Sequence, residues 1–324
     1  MTVRILSGIQ PSGKLHLGNY FGAMKHHIEL QGVPGAEPFY FIADFHALTT
    51  VQDAARLREY VRDAAVDYLA LGLDPGRSVL FRQSDVPEVQ ELAWLLATVT
   101  GMGLLERAHS YKDKLAKGIK PSVGLFYYPV LMAADILIYK AGWVPVGEDQ
   151  IQHIEMTQDM AGYFNQTYKT NVFVRPEGKL SATPRVPGTD GEKMSKSYGN
   201  TIDLQSDEKE LKKVIMSIKT DSTPVEAPKN PDKETVFALY SLFATPQERE
   251  ALAARYRAGG MGYGEAKKLL VEKAASHFAD YRRRRQEIVA NPGYVDDVLR
   301  TGAERARAVA RQTLDEAMRA CGLR

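Results

Sequence analysis

Ser7-Gly8-Ile9-Gln10-Pro11-Ser12-Gly13-Lys14-Leu15-His16-Leu17-Gly18-Asn19 is the stretch from which the rest of the chain is read. A short apolar run, Val3 to Leu6, precedes it and reads as a first strand, and from Tyr20 onward apolar residues recur at helical spacing. Strand, Gly-rich turn and helix N-terminus together gather backbone N–H groups and the positive end of a helix dipole around an anion, and phosphate suits that environment. The glycines allow a turn and a close backbone approach, while His16 and Asn19 put hydrogen-bonding side chains at the helix entrance. Taken by itself, the same stretch also reads as a plain tight turn.

Outward from this turn, Phe21 to Leu30 reads as a helix that stops at the breakers Gly32-Val33-Pro34-Gly35. Pro38 to Ala43 reads as a buried strand leading into Asp44-Phe45-His46, and Ser78 to Arg82 as a third strand. Leu57, Tyr60, Val61, Ala64, Tyr68 and Leu71 recur on one helical face and end at Gly72. Strands alternating with helices in this cadence predict parallel pairing with right-handed crossovers, hence an α/β fold on a doubly wound parallel sheet. Trp143 to Val146 and Asn171 to Val174 are read as the later strands.

The segment from Pro87 to Lys120 is mostly helical in pattern and carries Arg107, Lys112, Lys114, Lys117 and Lys120, a cluster that also fits a solvated face. Beyond it, Tyr127-Tyr128-Pro129-Val130-Leu131-Met132-Ala133-Ala134-Asp135-Ile136-Leu137-Ile138 places one carboxylate among residues that are otherwise buried. An unpaired buried carboxylate is expensive, so something must answer Asp135: an Arg or Lys, a backbone group, or a ligand. Met132 and Asp135 share a helical face and suit the lining of an apolar pocket with a single acceptor, which fits an aromatic ligand bearing one N–H. Gly147-Glu148-Asp149-Gln150 then forms a second strand-to-helix turn, acidic this time, which suits ribose hydroxyls or an ammonium group and equally a helix N-cap.

Downstream lies Glu192-Lys193-Met194-Ser195-Lys196-Ser197, preceded by Gly188, Asp190 and Gly191. Two lysines and two serines within five residues describe a cationic loop able to close on a polyphosphate, with an ordinary surface turn as the bland alternative. Past Gly199 the pattern turns helical. Ser206 reads as an N-cap, Thr245-Pro246-Gln247-Glu248 as a capping box, Glu265 to Val289 as a helical segment carrying Arg282 to Arg285, and Val295 to Met318 as a last helix.

At 324 residues, 44% hydrophobic and 25% charged, the chain has the composition of a soluble globule with one large or two moderate domains. A net charge of +2 confines any nucleic-acid contact to local patches. The lone Cys321 excludes an internal disulfide and a cysteine-based metal cluster, and with no apolar leader or span in view the cytoplasm is the expected compartment.

The HLGN turn followed by KMSKS resembles the paired signatures of class I aminoacyl-tRNA synthetases, with HLGN standing where that family often has HIGH. Gly8 to Gly13, Met132 to Ile136, Gly147 to Gln150 and KMSKS, in this order, look like the bacterial tryptophanyl-tRNA synthetase family. The resemblance implies a Rossmann-like catalytic domain over 1–185 of the HUP class I synthetase type, with a helical dimer-interface insertion at about 85–125. It further implies a KMSKS loop at 186–200, a smaller all-helical anticodon-binding domain over 201–290, and a C-terminal helix, 291–324, packed back on the catalytic domain. The implied reaction activates L-tryptophan with ATP and Mg²⁺ carried by ATP, without a resident metal, then esterifies the 3′-terminal adenosine of tRNA(Trp), in a homodimer.

Carried over by resemblance, the catalytic residues are Lys193, Lys196, Gln10 and, for the pyrophosphate end, Lys114. ATP contacts fall on Gln10, Pro11, Ser12, His16, Gly18, Asn19, Gly147, Glu148, Asp149, Val186, Lys193, Met194, Ser195, Lys196 and Ser197. Asp135 with Gly8, His46, Tyr128, Met132, Ile136, Val144, Val146 and Gln150 makes the tryptophan pocket, although His46 by itself also reads as a satisfied core histidine. A small-molecule adenylyltransferase, and a synthetase-derived binding or regulatory protein, are the rival readings.

Overall fold

The computed structural model describes residues 2–109, 111–112, 118, 122–180 and 185–324. In chain order the elements of its first part are β1 (Val3–Ile9), α1 (Leu17–Asn19), a π turn (Tyr20–Met24), α2 (Lys25–Leu30), β2 (Ala36–Ile42), α3 (Asp44–Ala47), α4 (Ala54–Ala70) and β3 (Val79–Arg82). Then come α5 (Glu88–Val99), α6 (Met102–Glu106), α7 (Val123–Ile138), β4 (Trp143–Val146), α8 (Ile151–Thr167) and β5 (Glu177–Leu180). The remainder is helical: α9 (Glu208–Met216), α10 (Thr235–Ser241), α11 (Pro246–Ala258), α12 (Tyr263–His277), α13 (Ala279–Ala290) and α14 (Pro292–Ala320).

Among the described residues the five strands are all parallel, in the order β3-β2-β1-β4-β5. The chain moves outward from β1 through β2 and β3, then returns to the other side of β1 with β4 and β5, so the strand order reverses beside β1. Ile9 pairs with Ile42, and Ile42 with Arg82, which aligns the carboxyl ends of three strands on one edge. That edge, at the reversal point, is where open α/β sheets bind ligands.

The last strand differs from the reading above. It is Glu177–Leu180, not Asn171 to Val174. Val172 and Phe173 are buried, as their apolar character requires, but Phe173 exchanges both backbone hydrogen bonds with the Asn165 side chain, at 2.9 and 3.2 Å, rather than with a neighbouring strand. The true strand, Glu-Gly-Lys-Leu, lies at the sheet edge and is largely exposed, so no apolar run marks it.

The chain divides into two compact units. The first comprises residues 1–13, 27–181 and 288–324. Its core sets Leu6, Phe39, Phe41, Val79 and Phe81 of the sheet with Val89, Leu92 and Leu96 of α5, Val130 and Leu137 of α7, and Ala306, Ala310 and Leu314 of α14. Burying each large side chain of this kind contributes about 1.5–3 kcal/mol. The C-terminal helix α14 packs on β3 so closely that a Cβ at Gly302 would lie 1.8 Å from the Leu80 carbonyl oxygen. Arg307 and Arg311 then pair with the buried Glu88 at the start of α5, at 2.9 and 2.8 Å.

The second unit comprises residues 14–26 and 182–287. Tyr20, Phe21, Phe243, His277 and Phe278 form its aromatic centre, with the Tyr20 hydroxyl 2.9 Å from His277 Nε2. Thr245 and Glu248 form the expected capping box of α11. The N-cap of α9 is Asp207, whose carboxylate accepts from the Glu210 N–H, rather than Ser206 one position earlier. The segment from Glu265 to Val289 is two helices, interrupted at Phe278.

Candidate active site

Asp135, on the last turns of α7, is 2% exposed and is answered by His46, which the sequence already pointed to as a pocket residue, and by Gln83. His46 Nε2 lies 2.9 Å from Oδ2, and Gln83 Nε2 lies 3.0 and 2.8 Å from the two carboxylate oxygens. Both partners follow strand ends: His46 lies in α3 after β2, and Gln83 follows β3 directly. Burial raises the Asp135 pKa above the usual carboxylate range; the hydrogen bonds from His46 and Gln83 oppose that, and the Asp44 carboxylate adds to it. Among the described residues, neither an arginine, a lysine nor a backbone N–H answers this acid. Gln83 is missing from the sequence reading, although its place immediately after β3 was a usable signal.

Tyr128, Met132 and Asp135 stand at i, i+4 and i+7 on α7, hence on one face, and the His46 ring meets Tyr128 edge-on with centroids 6.2 Å apart. The Tyr128 hydroxyl is 2.6 Å from Nε2 of His153 on α8, whose pKa burial lowers. Ile136, Val144 and Val146 are buried, while Met132 is partly exposed. Gly8, on β1, faces the Phe41 ring, which a Cβ would meet at 2.6 Å. β1 pairs with β4 in parallel at Ile5 and Trp143, and the Ser7 hydroxyl donates to the Pro145 carbonyl at 3.4 Å. Gln10 is exposed just past β1, its amide 3.4 Å from the His46 carbonyl and 3.3 Å from Thr50 Oγ1, with Pro11 buried and Ser12 exposed beside it. Past β4, Gly147 leads to a 3₁₀ turn of Glu148, Asp149 and Gln150; both acids are exposed, and Gln150 donates to Asp149 at 3.1 Å.

His16, Gly18 and Asn19 belong to the second unit, together with KMSKS. Residues about 176 apart in the chain touch there: the Gly18 N–H points at Met194 Sδ, 3.4 Å away. The Leu17 N–H donates to Ile202 O at 3.0 Å and the Asn19 N–H to His16 O at 2.9 Å. The first N–H groups of this helix are therefore engaged, contrary to the expectation that they gather around an anion. Asn19 Oδ1 already accepts from the His16 N–H, at 3.1 Å.

Val186 and Met194 are buried and joined by a 2.9 Å backbone hydrogen bond, Lys193 and Ser197 are exposed, and Lys196 is half-buried. Ser195 caps the 3₁₀ turn Lys196–Tyr198, which ends at Gly199 in the left-handed region, φ 63°. Burial, reinforced by the Lys196 cation and opposed by Asp203, lowers the His16 pKa to about 4, so the imidazole is neutral near pH 7. Its Nδ1 has no hydrogen-bond partner among the described residues. Burial lowers Lys196 to about 8 against the opposing pull of Asp203. Lys114 lies outside the described residues.

Asn200 is the fastener of this loop. Its Oδ1 accepts from the Ser195 N–H at 2.8 Å, and its amide donates to Asp190 Oδ1 at 2.8 Å and the Lys193 carbonyl at 3.2 Å. Gly188 makes room for it, since a Cβ there would fall 2.2 Å from the Asn200 amide nitrogen. Asn200→Ala leaves these groups unpaired at a cost of about 1–3 kcal/mol, which corresponds to amide exchange at Met194 and Ser195 roughly 5- to 150-fold faster. Hydrogen–deuterium exchange measures this directly; unchanged protection in the variant contradicts the fastening role.

Comparison with known proteins adds to this geometry. The family profile described as "tRNA synthetases class I (W and Y)" matches residues 1–279. The chain is 55% identical to the tryptophan–tRNA ligase of Rhodopirellula baltica, over 99% of this chain and 100% of that one. It is 51% identical to the tryptophan–tRNA ligase of Fusobacterium nucleatum, over 99% and 98%. The crystal structure of Campylobacter jejuni tryptophanyl-tRNA synthetase complexed with ADP and tryptophan superposes with a TM-score of 0.91 at 47% identity, covering 99% of this chain and 100% of that one. The Mycoplasma pneumoniae tryptophanyl-tRNA synthetase gives a TM-score of 0.85 at 31% identity, over 100% and 99%. With its parallel sheet, its HLGN and KMSKS segments in one unit and these matches along nearly its whole length, the chain belongs to the class I tRNA synthetases of the tryptophan and tyrosine group.

Proposed function

We infer that this chain is a tryptophan–tRNA ligase, which activates L-tryptophan with ATP and transfers it to tRNA(Trp). The observation that carries the amino-acid assignment is Asp135, a buried carboxylate held by His46 and Gln83 behind the strand ends. A carboxylate offers about four acceptor positions, so one is left for an incoming N–H. The indole N–H takes it. Gly8, Tyr128, Met132, Ile136, Val144 and Val146 enclose the ring in this proposal, and Gln150 with the Tyr128 hydroxyl holds the ammonium. Phenylalanine is rejected because it leaves the acceptor unpaired, a discrimination of roughly 10⁴ to 10⁵ for sites of this kind.

In the first step a carboxylate oxygen of tryptophan attacks the α-phosphorus of ATP in line. The bond to the bridging oxygen breaks, and pyrophosphate leaves with tryptophanyl-adenylate formed. Positioning and charge stabilisation do most of the work. Gln10, Pro11, Ser12, His16, Gly18, Asn19, Gly147, Glu148, Asp149, Val186 and Met194 are assigned to ATP in this proposal, and Lys193, Ser195, Lys196 and Ser197 take the charge of the departing phosphates, with Lys114 assisting. Mg²⁺ supplies further charge neutralisation and arrives on ATP. This fits the chemistry of the residues assigned to the phosphates, Lys193, Ser195, Lys196 and Ser197, which are cationic or neutral.

In the second step a hydroxyl of the terminal adenosine of tRNA attacks the adenylate carbonyl, forming the ester and releasing AMP. The helices within 201–290 read the anticodon in this proposal, with Arg283 and Arg284 exposed on α13. ATP–pyrophosphate exchange measured with each of the twenty amino acids tests the assignment. Exchange confined to tryptophan is expected, and exchange driven by another amino acid, or by none, overturns it.

A homodimer and a cytoplasmic location belong to the same proposal. Trp94, Met102 and Val123 are 69%, 64% and 84% exposed on α5, α6 and α7, a density of apolar surface that suits a second copy. Trp94→Glu is expected to convert a protein of twice the chain mass into a monomer. Sedimentation velocity at micromolar concentration reads this out, and an unchanged mass removes α5 from the interface.

A further inference from the structure

Gln83 is 1% exposed and uses both ends of its amide. Its Oε1 accepts from the backbone N–H groups of Phe45 and His46, at 3.1 and 3.4 Å. Backbone N–H groups only donate, so the amide orientation is set and the NH₂ must face Asp135, where it reaches both carboxylate oxygens. Gln83 thereby ties the turn after β2 and the turn after β3 to one acid on α7. We propose that Gln83 is the positioning residue for amino-acid specificity, holding the Asp135 carboxylate as a fixed acceptor for the ligand N–H.

The chemistry favours a glutamine here. A lysine or arginine in its place would neutralise the acid and draw its lone pairs away from the ligand. A neutral amide satisfies part of the carboxylate and leaves its charge in place. The hydrogen bonds of Gln83 and His46 to Asp135 favour its ionised form and so oppose the rise that burial causes. The titratable groups around Asp135 are His46 and Asp44 from α3 and Tyr139 just past α7. Gln83 contributes hydrogen bonds without a charge of its own.

This inference rests on reading Asp135 as the indole acceptor, and the experiment separates the two. Pyrophosphate exchange is followed between about pH 5 and 9 for the wild type, Gln83→Met, Gln83→Glu and Asp135→Asn, with tryptophan and with the analogue in which sulfur replaces the indole N–H. Losing the Gln83 donors is expected to move the acid limb of kcat/KM for tryptophan upward by about one to two pH units. The preference for tryptophan over the sulfur analogue should fall about tenfold or more, through KM for tryptophan rather than KM for ATP. In Gln83→Glu the acceptor for the two backbone N–H groups remains, and the added negative charge moves the limb further. That variant carries the test if the methionine variant does not fold.

A purely structural role would lower activity toward both amino acids alike, with an unshifted pH profile, and that result overturns the proposal. If Asp135→Asn retains the wild-type preference for the N–H, the pocket reading itself fails and takes this inference with it. If Asp135→Asn loses the preference while the Gln83 variants keep both profile and preference, only the role of Gln83 falls.

Discussion

Asp135→Ala should reduce kcat/KM for tryptophan in pyrophosphate exchange by about 10² to 10⁴. The lost hydrogen bond to a charged group accounts for roughly 1.5–3 kcal/mol, and the donors of His46 and Gln83, left without their acceptor, add about 1–3 kcal/mol of disorder or desolvation cost. Each 1.4 kcal/mol is about tenfold. The loss should appear mainly in KM for tryptophan, because the acceptor contact already exists in the ground-state complex. Asp135→Asn is the gentler counterpart. Its single amide oxygen is claimed by Gln83 and His46, so its NH₂ meets the indole N–H donor to donor. Circular dichroism and thermal unfolding show whether the fold survives each change. Near-normal exchange in a folded Asp135→Ala protein would remove this acid from the pocket.

Lys196→Ala should act on turnover instead. Lys196 is half-buried, and its charge is unusually sensitive to pH because burial lowers its pKa to about 8. A cation that meets charge developing on departing pyrophosphate stabilises the transition state more than the bound substrates, and removing one such donor lowers kcat by about 10²- to 10³-fold. KM for tryptophan should stay near the wild-type value. The sign of the pH effect follows from the direction of the shift: the ammonium is present below about pH 8 and lost above it. The free enzyme should therefore show an alkaline limb near pH 8 in kcat/KM for ATP, which Lys196→Arg carries out of the accessible range because guanidinium stays protonated. Equal losses in kcat and tryptophan affinity would mark the loop as a binding surface only. His16, held neutral by burial and by the Lys196 cation, contributes no limb in the same range.

Much of the first unit was legible in the chain because its signals are local. Apolar runs of strand length separated by helical periodicity predict parallel pairing whatever lies at a distance, and the strand order β3-β2-β1-β4-β5 follows that pattern. The capping box at Thr245 was equally readable, since all its groups lie within one turn. The last strand was not. Val172 and Phe173 announce burial, but burial does not say whether a strand or the Asn165 side chain satisfies the backbone. The sequence likewise shows that Asp135 must be compensated without showing by what, because His46 and Gln83 lie 89 and 52 residues away.

Reading the sequence alone thus determined the α/β class, the order of the HLGN, Asp135, GEDQ and KMSKS segments, and the need for a partner at one buried acid. Only the tertiary structure decided that Gln83 and His46 are that partner, that the N–H groups of Leu17, Gly18 and Asn19 are already engaged, and that His16 keeps company with Lys196 in one compact unit. The reason is physical: periodicity and turn chemistry are set by neighbouring residues, whereas the saturation of buried donors and acceptors is settled among groups that meet only once the chain has folded.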